Sequence, residues 1–321
     1  MFHLIYQTMK NNSKFLGILL FGAILTIGLT VASCSKDDNN NDNNGKVDPS
    51  TIATSDLIAY FPFEDNGTDN ISAMTPSNAS TTTATFVTGR RGKAFQGATD
   101  KTSGLLYTLP TDSKLKTLKA FSFSVWLKQI PNTVETTDAP EQMVFQLDGK
   151  GDWIWGNLFL LQHRNWPEAE TEKDRNFAEM DCYFWKDDAA EWKGQRGSGW
   201  FVDVTAPQWR HIICTYDNTT STFHAYVNGV HVTAYDGTEY AGVNRWQRDG
   251  EDLPLGDLNF NDPQKFAIGA WCDRLAGTSL QDDAWASPYK GLIDELRIYD
   301  RALTATEVKA LYDAEVTQIT E

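Results

Sequence analysis

From Ser55 onward the chain falls into short runs of alternating apolar and polar residues, each ended by a turn signal. The signals are Asp65-Asn66-Gly67, Thr88-Gly89, Asp148-Gly149, Asn228-Gly229, Asp236-Gly237 and Asp249-Gly250. A side-chain period of two does not make an amphipathic helix, so the pattern restricts the chain to strands. Asn228-Gly229, between residues 223–227 and 230–234, is the strongest hairpin signal, because both residues accept the positive φ of a type I′ turn. A helical stripe appears only at the end. There Thr304 stands three residues before Glu307, the capping-box spacing, and Val308 and Leu311 follow at helical spacing. The expectation is an all-β domain of two stacked sheets with a short C-terminal helix.

Alternation also assigns faces. In residues 121–128, Phe121, Phe123, Val125 and Leu127 share one face, and Ser122, Ser124, Trp126 and Lys128 the other. In residues 266–273, Phe266, Ile268, Ala270 and Cys272 face one way, Trp271 and Asp273 the other. The apolar faces should meet as the core, leaving Trp126 and Trp271 pointing off the sandwich. Residues 151–200 hold six of the chain's eleven tryptophans. Residues 158–163 and 180–185 read as strands there, and 164–177 and 186–199 as long loops, where function tends to collect.

Residues 290–312 (KGLIDELRIYDRALTATEVKALY) carry Ile-Asp-Glu-hydrophobic-Arg-hydrophobic-Tyr ahead of the helix. Residues 57–64 (LIAYFPFE), 121–128 (FSFSVWLK), 209–217 (WRHIICTYD) and 223–230 (FHAYVNGV) precede it in order. Together these resemble the laminin-G-like domains of the concanavalin A-like jelly-roll superfamily. The resemblance implies a two-sheet antiparallel jelly-roll sandwich over residues 55–316, with its last strand paired to its first and ligand held on a concave outer face. It implies calcium where the opening loop meets the last strand, with Asp69 and Asp294 as ligands. The family's small residues after the loop Asp are replaced here by Asn70-Ile71-Ser72. On the residues alone, Asp65 and Asp69 could equally cap turns, and Asp294 could pair with Arg297 or Arg301.

Indole rings suit the apolar faces of sugars. Trp155, Trp185, Trp192, Trp246, Trp271 and Trp285 are the candidate platforms, with Arg164, Asp273 and Arg274 as hydrogen-bonding neighbours. The plainer alternative is that these rings pack under long loops. Some concanavalin-like glucanases carry Glu-hydrophobic-Asp-x-x-Glu on one strand. Glu179-Met180-Asp181 begins that pattern, but Phe184 stands where the last Glu belongs. A lyase could assemble His163, Arg164 and Tyr183, although their spacing does not demand it. His211, His224 and His231 read as ordinary sheet residues.

Lys10 and Lys14 precede an apolar run, residues 15–32, that ends in Val31-Ala32-Ser33-Cys34. This resembles a bacterial lipoprotein signal over residues 1–33, with Cys34 lipidated. Residues 34–54, rich in Asn and Asp, read as a disordered tether. Their Lys-Asp-Asp run resembles the surface-export signal of Bacteroidetes lipoproteins. Residues 1–33 contain two of the 28 basic residues and no acid, so the mature chain carries 26 basic against 43 acidic residues, a net charge of −17. That disfavours nucleic acid and anionic lipid as partners, so membrane contact is expected only through the lipid. The absence of a P-loop or GxGxxG leaves nothing for nucleotides. With Cys34 lipidated, Cys182, Cys214 and Cys272 are an odd set and read as buried thiols. The expectation is an outer-membrane lipoprotein, exposed at the cell surface, with a calcium-stabilised domain that binds a polysaccharide or glycoconjugate without cleaving it. A glycan-degrading enzyme of the same fold and a protein-binding adhesion module are the alternatives.

Overall fold

The structure, a computed structural model, describes residues 47–77, 84–98, 100, 102–128, 141–149, 156–164, 177–186, 193–203, 207–233, 242–243, 245–248, 251–278 and 285–317. Gly45–Glu321 forms one compact unit. The expected signal, Cys34 and most of the tether lie outside the described residues.

The strands are β1 (Leu57–Phe61), β2 (Thr85–Thr88), β3 (Lys93–Gln96), β4 (Leu105–Thr108), β5 (Phe121–Lys128), β6 (Glu141–Leu147), β7 (Leu158–Arg164), β8 (Phe177–Lys186), β9 (Lys193–Asp203), β10 (Trp209–Asp217), β11 (Thr222–Val227), β12 (Val230–His231), β13 (Gly242–Val243), β14 (Arg245–Arg248), β15 (Glu251–Pro254), β16 (Lys265–Ile268), β17 (Ala286–Pro288) and β18 (Leu292–Tyr299). Two helices, α1 (Cys272–Leu275) and α2 (Ala305–Val316), complete the described elements. The first sheet runs β12-β11-β10-β5-β18-β3-β2, and β1 also pairs with β18. The second runs β4-β16-β6-β7-β8-β9, and β14 and β15 form a separate hairpin. Ladders are antiparallel except for the short pairing of β17 with β6. The closing strand meets the opening one as expected, with Tyr60 opposite Arg297 and Phe61 opposite Leu296.

The core lies between the sheets and follows the alternation. Phe121, Phe123, Val125 and Leu127 meet Phe145, Leu158, Leu160, Phe184 and Phe266 in one buried cluster. Each such side chain contributes about 1.5–3 kcal/mol by leaving water. Cys182 and Cys214 belong to this core, and Cys182, Cys214 and Cys272 are free, buried thiols. Asn228 and Gly229 both take positive φ, 52° and 73°, and close the hairpin as the sequence requires. The capping box forms at Thr304 and Glu307.

Three expectations change, and one strand carries a bulge. Residues 193–199 are strand rather than loop, because Lys193 onward forms β9 and pairs with β8 from Lys186 back to Phe177; residues 165–176 and 187–192 lie outside the described residues. The tether does not extend to residue 54. Residues 49–51 and 54–56 form single 3-10 turns, and Ile52 and Ala53 pack on the apolar cluster beneath α2. The run 266–273 is not one strand. It ends at Ile268 because Gly269 takes φ +81°, and the chain then turns into α1. A Cβ on Gly269 would lie 2.4 Å from the Phe95 ring, so a larger residue is excluded there. Finally, β18 bulges between Asp294 and Arg297, with Glu295 at φ +52°. The bulge lets Ile293, Leu296 and Ile298 all reach the core.

Candidate functional site

Helix α2 covers part of the outer face of the first sheet. Helix α2 lays Val308 and Leu311 on Ile213, Tyr226 and Tyr299. Beside that apolar patch, polar side chains are sealed under the helix. The Arg297 guanidinium is buried and donates to Glu295, 2.6 Å away, and to Glu315 of α2. It also lies 4.2 Å from the Tyr60 ring centroid. The Trp126 indole N–H donates to Glu315 at 2.6 Å, and Trp126 stacks on His211 at 4.7 Å. Trp126 therefore points off the sandwich, as alternation predicts, yet it is sealed beneath α2. His211 is enclosed here, and burial, then Arg297 and Arg90, hold its pKa well below the usual range.

The expected metal ligands are engaged by N–H groups. Asp69 accepts from the backbone of Tyr60 (2.7 Å), Ile71 (3.0 Å) and Ser72 (3.2 Å), and from the Ser72 hydroxyl. Asp294 accepts from the backbone of Arg90 (2.8 Å), Arg91 (3.0 Å) and Glu295 (2.8 Å). Burial, then the Glu295 charge, push the Asp294 pKa up to about 9 against the pull of those donors. Calcium needs six to eight oxygen ligands, and these two carboxylates spend part of their acceptor capacity on N–H donors. No group of three or more His, Cys, Asp or Glu suited to a metal occurs among the described residues.

The second sheet presents aromatic rings outward. In β7 and β8, Leu158, Leu160, Met180, Cys182 and Phe184 face the core. Phe159, Leu161, Glu179, Asp181, Tyr183 and Trp185 take the opposite face by alternation. There Phe159 and Leu161 join Met143, Trp271 and Ala286 in a second buried cluster, against which Tyr183, Trp185 and Trp285 pack half-buried. Phe159 and Tyr183 are direct cross-strand partners and stack at 4.8 Å with 12° between planes. Trp271 meets Trp285 edge-on at 5.4 Å and 83°. The Gly269 turn carries Trp271 out of the core, and its indole N–H donates to Ser287 O at 3.1 Å. Gln146 accepts from the Cys272 backbone at 2.7 Å, fixing α1 to the sheet. Trp271 is thus a sealed pedestal, and Tyr183, Trp185 and Trp285 are the rings with open surface.

Residues 102–309 match the family model of the concanavalin A-like lectin/glucanases superfamily, Laminin_G_3. The chain belongs to that family. Several solved structures are similar to this laminin-G-like chain. Domain 4 of AbnA, a GH43 extracellular arabinanase from Geobacillus stearothermophilus solved with arabinotriose, is 20% identical over 80% of this chain and 98% of its own, with a TM-score of 0.44. The botulinum neurotoxin serotype G binding domain is 14% identical over 80% of this chain, with a TM-score of 0.49. The serotype D ligand-binding domain in complex with N-acetylneuraminic acid is 9% identical over 82%, with a TM-score of 0.48. The laminin-G-like chain spans about half the length of those two toxin chains, 50% and 52%. At that distance a likeness carries no ligand with it. No curated protein matches the chain.

Of the expected sugar-binding residues, the laminin-G-like fold brings Trp185, Trp271 and Trp285 together. Trp271 must be corrected from platform to support, because it is fully buried. Asp273, partly exposed, and Arg274, buried, sit on α1 just after Trp271, 3.8 Å apart. Trp155 and Trp192 lie outside the described residues, as do the side chains of Arg164 in β7 and Trp246 in β14. Sequence reasoning missed Phe159 and undervalued Tyr183. The signal was present in the alternation of residues 158–164 and 177–186, once the two strands are paired in register. Glu179 and Asp181 are buried on the same face. Phe184 belongs to the core, so the strand offers no third outward carboxylate at the glucanase position.

Proposed function

We propose that this laminin-G-like domain binds a glycan on the outer face of its second sheet and does not cleave it. The carrying observation is the half-buried set Tyr183, Trp185 and Trp285 held over a sealed Trp271. Rings fixed by packing lose little freedom when a sugar stacks on them, which favours binding. The non-catalytic reading is favoured because Phe184, turned into the core, stands where the glucanase strand carries its last glutamate. Glycan-array screening followed by calorimetry tests this. Trp285→Ala is expected to weaken the best ligand about tenfold or more. Release of new reducing ends or unsaturated products from that ligand would favour the enzyme reading instead.

Calcium is left out of this proposal. Addition of about 5 mM calcium, enough to fill an extracellular-type site, is expected to shift the melting temperature by no more than about 1 °C. A larger rise that Asp294→Asn removes would restore the ion.

We further propose that the domain is displayed outside the outer membrane by lipid on Cys34. The motivating residues are the apolar run, Val31-Ala32-Ser33-Cys34 and the Lys-Asp-Asp sequence that follows. Cys34→Ala is expected to move the protein from the membrane to the soluble fraction; continued membrane retention would contradict this. A surface-exposed, net-acidic domain fits a polysaccharide partner better than nucleic acid.

A further inference from the structure

His224 and His231 do not belong to the face described above. They lie on β11 and β12, at the free end of the first sheet. The Asn228-Gly229 turn sets the register, pairing Val227 with Val230 and Tyr226 with His231. Alternation puts His224 on the same face as Tyr226, hence beside His231. The His224 Nδ1 and His231 Nε2 atoms are 3.0 Å apart, with ring planes at 75° and centroids 4.8 Å apart. Tyr226 walls the pair, its ring 6.5 Å from His224 and 5.2 Å from His231. His231 is exposed and His224 half-buried, so the pair is open to solvent on one side.

In the neutral pair one ring donates its N–H to the other's lone pair. For a metal ion to sit between the rings, the donating ring shifts its proton to its other nitrogen, so that each neutral ring offers one lone pair to the ion. Two nitrogens on tetrahedral zinc, at about 2.0–2.1 Å each, are about 3.3 Å apart. At the right angle of a tetragonal copper(II) or nickel(II) site the separation is about 2.9 Å. The observed 3.0 Å lies between the two, so little movement is needed. Imidazole binds a metal through its neutral form, so uptake should strengthen as the pH rises above the ordinary histidine range.

We propose that His224 and His231 form a two-histidine site for a divalent cation of the zinc, copper or nickel class. No third His, Cys, Asp or Glu joins them among the described residues, so water would fill the other positions. Imidazole nitrogen, unlike the oxygen cage of calcium, selects these ions.

The test is a zinc titration of the full chain by calorimetry, beside His231→Gln and His224→Gln. His231 is exposed, so the first variant leaves packing intact. One zinc per chain is expected, weakened at least tenfold in each variant. Copper(II) should give a paramagnetic spectrum with coupling to two nitrogens in the parent and fewer in either variant. Variant isotherms that overlay the parent's, or no zinc uptake up to about 1 mM, would overturn the site.

Discussion

Replacing Arg297 by alanine is expected to lower the stability of the domain by about 3–5 kcal/mol, measured as a shift in urea midpoint followed by tryptophan fluorescence. The guanidinium is 1% exposed and is hydrogen-bonded to two carboxylates that are almost as deeply buried. Glu295 also accepts from the Tyr60 hydroxyl at 2.9 Å, and Glu315 from Trp126. Removing the cation strands two negative charges under α2, and the desolvation already incurred is no longer offset. Arg301→Ala is the control. Its side chain is 36% exposed, and its partners Asp56 and Glu307 reach solvent, so a loss of no more than about 1 kcal/mol is expected. Equal losses for the two variants would show that the network under α2 contributes nothing special.

The second large effect is at Trp271. Trp271→Ala is expected to cost about 3–5 kcal/mol, the range for deleting a large buried aromatic. The indole packs with Met143, Phe159, Leu161 and Ala286, and its N–H is bonded to Ser287 O. The vacated space lies directly beneath Trp285, so glycan affinity should fall along with stability. Trp285→Ala should separate the two, because Trp285 is only half-buried: affinity falls while the urea midpoint shifts far less. A Trp271→Ala protein of parental stability would contradict the pedestal role.

The sandwich was legible in the sequence because its determinants are local. Alternation gave the core face of β5, Asn228-Gly229 the hairpin, and Thr304 with Glu307 the start of α2. What covers an outer face is not local. Alternation turned Trp126 outward, but α2 then sealed it; Trp271 leaves the core through the Gly269 turn, not through alternation, and is sealed among Met143, Phe159, Leu161 and Ala286. The setting of the Ile-Asp-Glu motif is not local either. Asp294 accepts from the backbone N–H groups of Arg90 and Arg91, some two hundred positions away, which no spacing rule foresees. The motif's Glu and Arg serve the network under α2, whose third member, Glu315, no spacing rule connects to them. The histidine pair was passed over because each ring alone suits a strand, and their meeting depends on the register of a two-residue turn.

The central proposal is that the rings over Trp271 hold a sugar. The most direct measurement is calorimetric titration of one array-identified glycan into the parent, Trp285→Ala and Tyr183→Ala. The account predicts that both variants melt near the parent and bind at least about tenfold more weakly. Two folded variants with undiminished affinity would contradict it.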